Sequence, residues 1–298
     1  MQDALLFALA TVIWGSTWLV ITFQLGVVAP EASIVYRFAL ASLILFVFAR
    51  LRRLPMRFSP RQHAFIALQG VFLFCVNYIT VYLAEQVLAS GLVAIVFSML
   101  ILGNVVLGRL FLGNPVRSRV VLGGLLGVAG LTLVFLPELG GVNLGPNWRL
   151  GLLLSLIGVL SASVGNVFSA HNQRAGLPVV QTNAYGMAYG ALATLVFALL
   201  RGVPFTFEFT SEYVLSLVYL AVFGSVVAFG AYLTLVGRIG VDRAGYVGVV
   251  FPLVAIVLSL WFEGLGLTTV ALAGVALVAG GNVLVISRRR SPAAAPAN

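Results

Sequence analysis

The chain has 298 residues, of which 61% are hydrophobic and only 8% charged, and its formal charge is +9. A soluble domain carries about 25% charged residues and needs a polar skin; 17 basic and 8 acidic side chains do not supply one, which argues against a soluble enzyme, a nucleic-acid binder and a disordered chain. The single cysteine, Cys75, rules out an intrachain disulfide and a cysteine-rich metal site.

Charge-poor apolar runs of bilayer length follow one another along the chain, a span taking about 20 such residues. The first, 4–23, carries Trp14-Gly15-Ser16-Thr17-Trp18. Trp14 and Trp18 are one turn apart on one helix face, away from the interfacial belt that tryptophan favours. They either wall a cavity or pack against a neighbour's glycines. Only Met1, Gln2 and Asp3 precede this run, with no basic residue, so it reads as a retained helix rather than a cleaved signal.

The second run, 32–49, is interrupted only by Arg37. An intramembrane ionisable residue is a functional candidate by default. Arg37 lies near the start of its run, however, so its stem also has the option of snorkelling toward Glu31. The third run, 64–84, gathers Asn77, Tyr78, Thr80 and Tyr82. Tyr78 and Tyr82 share a face, and a buried amide and two phenols need partners. Neighbouring helices would supply them, and so would a polar substrate.

The fourth run, 88–108, offers Ser98, Met99 and Asn104; the sixth, 150–169, offers Ser161, Ser163 and Asn166. Between them the fifth, 119–136, has glycines at 123, 127 and 130, a spacing that favours close helix packing within the chain or between copies. The seventh is 181–200. The eighth, 213–235, holds Tyr219, Gly224, Gly230 and Tyr232. The ninth, 243–262, holds Tyr246 and Pro252, and the proline would kink it. The tenth, 268–286, repeats glycines at 274 and 280.

Each run must satisfy its backbone internally, so the expected fold is an all-α integral membrane protein of ten transmembrane helices. With the N-terminus placed in the cytoplasm, fourteen of the 17 arginines fall in inner loops and the tail, and two, Arg149 and Arg201, fall outside. The positive-inside rule then places both termini in the cytoplasm. The basic, Ala/Pro-rich tail at 288–298 reads as disordered.

The halves also resemble each other. Leu122, Gly124, Val128, Ala129 and Gly130 recur 150 residues later as Leu272, Gly274, Val278, Ala279 and Gly280, and Tyr82-Leu83 recurs as Tyr232-Leu233. The stretch from Gly91 to Phe97 resembles Gly245 to Phe251, and Pro30 and Pro178 precede the second and seventh runs. Two five-helix repeats, 3–136 and 150–287, follow. An odd number of spans makes the second inverted, the transporter pattern.

The acidic residues fall in or near the loops, with Glu85 the best carboxylate candidate, and His63 and His171 lie at segment ends. No phosphate loop, dinucleotide motif, metal cluster or catalytic constellation appears, so neither cofactor nor metal nor enzymatic activity is expected. The uncharged polar and aromatic groups suit a small zwitterion or polar organic molecule.

The Trp14 to Trp18 motif, Pro30, Arg37 and the paired glycine-rich fifth and tenth runs resemble the EamA-type branch of the drug/metabolite transporter superfamily over residues 3–287. Within it the chain looks most like bacterial exporters of aromatic amino acids and methylviologen. The resemblance implies a ten-helix inner-membrane exporter working by alternating access. It also implies a small-molecule substrate, lipid as surroundings, no nucleic-acid partner and a monomer in preference to a homodimer. The candidate substrate contacts are Trp14, Trp18, Arg37, Asn77, Tyr78, Tyr82, Ser98, Ser163, Asn166 and Tyr246. The counterpart of the Trp motif, Ser163-Val164-Gly165-Asn166-Val167, lacks tryptophan and implies a chemically asymmetric site. The competing readings are export of another metabolite or cationic drug, and a non-transporting membrane scaffold.

Overall fold

The computed structural model describes residues 2–113, 118–139, 145–239, 244 and 247–286. Arg117, Arg243, Tyr246 and the 288–298 tail lie outside them. The apolar runs form helices, which we label α1 (Gln2–Thr22), α2 (Pro30–Leu51), α3 (Pro60–Glu85), α4 (Ser90–Leu112), α5 (Ser118–Leu139), α6 (Trp148–Arg174), α7 (Val179–Leu200), α8 (Ser211–Arg238), α9 (Val247–Phe262) and α10 (Thr269–Ile286). No strand occurs among the described residues. Seven helices, α1–α4 and α6–α8, are long and apolar enough to cross a membrane; shorter apolar stretches occupy α5, α9 and α10.

Burial runs opposite to that of a soluble protein. Leu5, Leu43, Leu110, Leu125, Leu160, Leu200 and Trp261 are exposed, while Arg37, Gln69, Ser163 and Thr194 are fully buried. An apolar exterior around polar side chains is stable only where the surroundings are themselves apolar.

Local chemistry fixes the helix starts. Ser59 and Gln62 form a reciprocal capping box at α3, with Pro60 pre-set for the first turn. Thr210 caps α8 by accepting from the Tyr213 N–H. Pro30 opens α2, and Pro178 occupies the cap of α7.

Both α3 and α8 contain a π-helical segment, Val71–Val76 and Leu220–Val227. Such widened turns present carbonyls and side chains that a regular helix would keep to itself. Each segment is used by the other half of the chain. Trp14 on α1 donates Nε1–H to the Gly224 carbonyl at 3.2 Å. Reciprocally, Ser161 on α6 donates its hydroxyl to the Phe72 carbonyl at 2.7 Å. Helix α4 is interrupted by a turn at Ser98–Met99, and α9 carries Pro252 inside a continuous helix.

Helices α5 and α10 pack along their glycines. A Cβ on Gly130 would lie 2.6 Å from the Gly274 carbonyl oxygen, and one on Gly274 would lie 2.5 Å from that of Gly130. Gly281 meets Gly123 and Gly127 in the same way. Of the glycines noted in the sequence, Gly130 and Gly274 face each other within one chain, while Gly280 meets nothing and its neighbour Gly281 makes the second contact.

Both ends of the bundle are tied by buried side chains. At the arginine-poor end the ties are buried: Tyr82 donates to Gln24 Oε1 at 3.2 Å, Gln24 donates to Ser216 Oγ at 3.2 Å, and Ser33 and Tyr213 share a hydroxyl bond at 2.9 Å. Ser90 donates both its backbone N–H and its hydroxyl to Glu263. At the arginine-rich end buried amides join α6, α3 and α7, Asn172 donating to Gln69 Oε1 at 2.9 Å and Gln69 to Asn183 Oδ1 at 3.4 Å, and the half-exposed pair Arg238–Asp3 joins α8 to α1 at 3.1 Å.

Candidate substrate cavity

Six helices, α1, α3, α4, α6, α8 and α9, line a half-open space of about 590 Å³, part of which lies in its mouth. Its wall is mainly aromatic, with Trp14, Trp18, Tyr78, Phe97, Phe229, Tyr232 and Phe251. Asn77, Asn166 and Thr17 interrupt it, and among the described residues no acidic or basic side chain lines it.

The rings hold one another by edges and offset faces. Trp14 packs against Phe229 and Tyr232 at 4.9 Å between centroids, and Trp18 lies 4.9 Å from Phe97 and 5.8 Å from Phe251. Such contacts favour fixed ring orientations. The π segment of α8 makes this possible for Trp14, because the Gly224 carbonyl takes its indole N–H.

Two polar atoms on the wall have no hydrogen-bond partner among the described residues, Asn77 Oδ1 and Trp18 Nε1. The Asn77 amide donates Nδ2–H to the Leu73 carbonyl at 3.2 Å, an atom that only accepts, so its own oxygen is the free end. Two residues of the wall thus carry an acceptor and a donor without a protein partner, both atoms covered by their neighbours. A buried polar atom without a partner costs stability, about 1–3 kcal/mol each. Asn166 is less free, since its amide donates to Asn104 Oδ1 at 3.2 Å.

Of the ten candidate substrate contacts, Trp14, Trp18, Asn77, Tyr78 and Asn166 meet at this cavity. Arg37, Tyr82, Ser98 and Ser163 do not line it. Tyr82 is fully buried and bonded to Gln24 toward the arginine-poor end. Ser98 donates to the Ile95 carbonyl of its own helix, and Ser163 to that of Val159. Ser163 packs onto Gly103, where no side chain would fit. Tyr246 lies outside the described residues.

Arg37 stands directly behind the wall. It is fully buried, donates Nε–H to Ser225 Oγ at 3.0 Å and Nη2–H to the Tyr78 hydroxyl at 3.4 Å, and lies 4.5 Å above the Tyr78 ring. The snorkelling alternative is corrected here: Glu31 pairs with Arg201 at 3.3 Å, and Arg37 turns inward to the α8 π segment.

The sequence reading missed Phe97, Phe229 and Phe251. A phenylalanine in an apolar helix carries no contrast with its neighbours. Tyr232 had a signal, its match to Tyr82 at the repeat offset.

Comparison with known proteins now adds identity. Residues 2–136 and 149–287 each match the EamA-like transporter family. A relative from Escherichia coli K12 named "uncharacterized inner membrane transporter YedA" is 31% identical, over 88% of this chain and 81% of its own. "Protein PagO" of Salmonella typhimurium is 24% identical over 89% and 86%. A "probable amino-acid metabolite efflux pump" of Escherichia coli K12 is 24% identical over 86% and 85%. A solved crystal structure shares the fold at 18% identity, with a TM-score of 0.70 over 95% of each chain.

Proposed function

Because the chain belongs to the EamA-like transporter family, we propose that it exports amino acids, aromatic ones among them, across the bacterial inner membrane by alternating access. The observation that carries the substrate class is the cavity wall: seven aromatic rings, one free acceptor at Asn77 Oδ1 and one free donor at Trp18 Nε1. An α-amino acid needs an acceptor for its ammonium, a donor for its carboxylate and an apolar wall for its side chain. Trp14 and Tyr78 receive the ring of an aromatic substrate. The lack of any acidic lining favours a zwitterion over a cationic drug. The names of two relatives, an inner-membrane transporter and an amino-acid metabolite efflux pump, agree with this reading.

The mechanism requires two five-helix halves of opposed orientation, ten spans and both termini in the cytoplasm. Several recurrences support the duplication. The capped starts of α3 and α8 follow Ser59 and Thr210, and the π segments begin at Val71 and Leu220. The family match itself falls in two blocks. The reciprocal bonds from α1 into α8 and from α6 into α3 are the contacts that rocking of the halves would rearrange. The glycines of α5 and α10 meet within the chain, which supports a monomer as the working unit.

The test is counterflow into sealed liposomes containing the pure protein, with a panel of labelled amino acids. Saturable exchange of tryptophan or phenylalanine is expected. Exchange of cationic dyes with no exchange of any amino acid would replace this substrate class. Protein that folds and exchanges nothing would favour the scaffold reading.

A further inference from the structure

Arg37 forms no part of the cavity surface, yet it is the largest of the fully buried side chains among the described residues. Burying a guanidinium is costly unless its charge and its donors are matched. The counter-charge is Glu85, buried further along α3. The two interact through space, and neither Arg37 Nη1 nor the Glu85 oxygens have a hydrogen-bond partner among the described residues. The remaining donors are spent on two parts of the cavity wall.

The first part is Tyr78. Arg37 donates Nη2–H to its hydroxyl at 3.4 Å, and the guanidinium carbon lies over its ring, 4.5 Å from the centre. Phe38, the next residue on α2, meets the same ring with an edge-to-face contact at 4.7 Å. Tyr78 is thus held from behind at both its face and its hydroxyl. The second part is the turn Gly224–Ser225 in the π segment of α8. Arg37 donates Nε–H to Ser225 Oγ at 3.0 Å. A Cβ on Gly224 would lie 3.1 Å from Arg37 Nη2 and 2.9 Å from Thr17 Cγ2, so bare backbone is what fits between α2 and α1. On the α1 side the Gly224 carbonyl receives the indole N–H of Trp14. Arg37 therefore grips one side of the turn that fixes Trp14 on the other.

We propose that Arg37 is a positioning residue for the substrate cavity. From behind the wall it orients Tyr78 directly and Trp14 through Gly224–Ser225, and so sets the preference for aromatic over small side chains. The inference rests on the amino-acid transporter reading and deepens it by naming a residue that selects the substrate without touching it. Lysine would keep the charge but has no Nε–H for Ser225 and no planar group to lie on the Tyr78 ring. Both rings would then gain freedom. A wall that must be ordered at each binding event loses more with a ring that fills it than with a small side chain.

Two measurements test this. The first needs no substrate. Protein labelled with 5-fluorotryptophan gives a fluorine resonance for each of its four tryptophans, that of Trp14 being assigned by its loss in Trp14→Phe. Arg37→Lys and Ser225→Ala should each shift or broaden the Trp14 line and leave those of Trp148 and Trp261, away from the cavity wall, in place. A Trp14 line unmoved in both variants overturns the positioning role. The second is initial flux per folded transporter for tryptophan and for a small apolar amino acid. The ratio of the two should fall several-fold in Arg37→Lys, and by less but in the same direction in Ser225→Ala. Placed in a Tyr78→Ala background, Arg37→Lys should lower the ratio by a smaller factor, because one of the rings it orients is gone. Equal loss of both substrates, or an undiminished further loss in the Tyr78→Ala background, would overturn the proposal. If Arg37→Lys does not fold, Ser225→Ala decides by the same two readouts. Absence of flux with any amino acid would defeat the substrate reading, with the fluorine spectra still deciding whether Arg37 positions Trp14.

Discussion

Tyr78 and Tyr82 differ by one turn of α3 and by what they touch. Tyr78 faces the cavity and carries the Arg37 guanidinium on its ring. Tyr82 is buried beyond the cavity and holds Gln24 across the arginine-poor end. The sequence placed them on one face, which is correct, but the cavity ends between them. Tyr82→Phe deletes one buried hydrogen bond, worth about 1 kcal/mol in the closed form. We expect transport rates for all substrates to change by a similar factor, several-fold at most, with relative preferences unaltered. Paired-substrate kinetics would show otherwise if Tyr82 contacted substrate, because one substrate would then suffer alone. The serines teach a related lesson. Ser98 and Ser163 satisfy themselves on carbonyls three and four residues back, an option every membrane serine has and no sequence discloses.

At the scale of elements, the helices were legible because apolar runs of bilayer length leave few alternatives. Their irregularities were not. Nothing in Val71–Val76 or Leu220–Val227 announces a π segment, yet these widened turns receive Trp14, Ser161 and Arg37. The inward course of Arg37 follows from Ser225, whose hydroxyl bonds back to the Leu220 carbonyl and leaves its oxygen facing the guanidinium. The α5–α10 contact was readable from glycine spacing, since only glycine allows backbones so close. Gly274→Ala would drive a methyl group against the Gly130 carbonyl oxygen. Overpacking of this kind costs about 1–3 kcal/mol. The expected outcome is a lower yield of folded protein and a lower melting temperature. Because the pair stands apart from the cavity wall, substrate preference per folded molecule should not move. An altered preference with normal stability would show that this contact reaches the site.

The whole molecule is a bundle whose polar groups point inward around a central aromatic space. Its halves exchange bonds reciprocally, α1 into α8 and α6 into α3. The expected orientation rests on the arginine count, and the loop between α2 and α3, with Arg52, Arg53 and Arg57 following Arg50 in the last turn of α2, is its strongest marker. In a background with Cys75 replaced by alanine, a cysteine introduced at Pro55 should resist membrane-impermeant reagents in intact cells and react after permeabilisation. Reaction in intact cells would invert the topology.

The central claim is that substrates bind among Trp14, Trp18, Asn77 and Tyr78, between the two halves. The most direct measurement is initial flux per folded transporter for tryptophan and for a small apolar amino acid, in wild type, Trp14→Ala and Tyr78→Ala. Losing one aromatic contact costs on the order of 1–3 kcal/mol, a change of roughly five-fold or more in rate. The account predicts that tryptophan flux falls by such a factor while flux of the small substrate falls much less. Equal proportional loss of both substrates, or no loss of either, would contradict it.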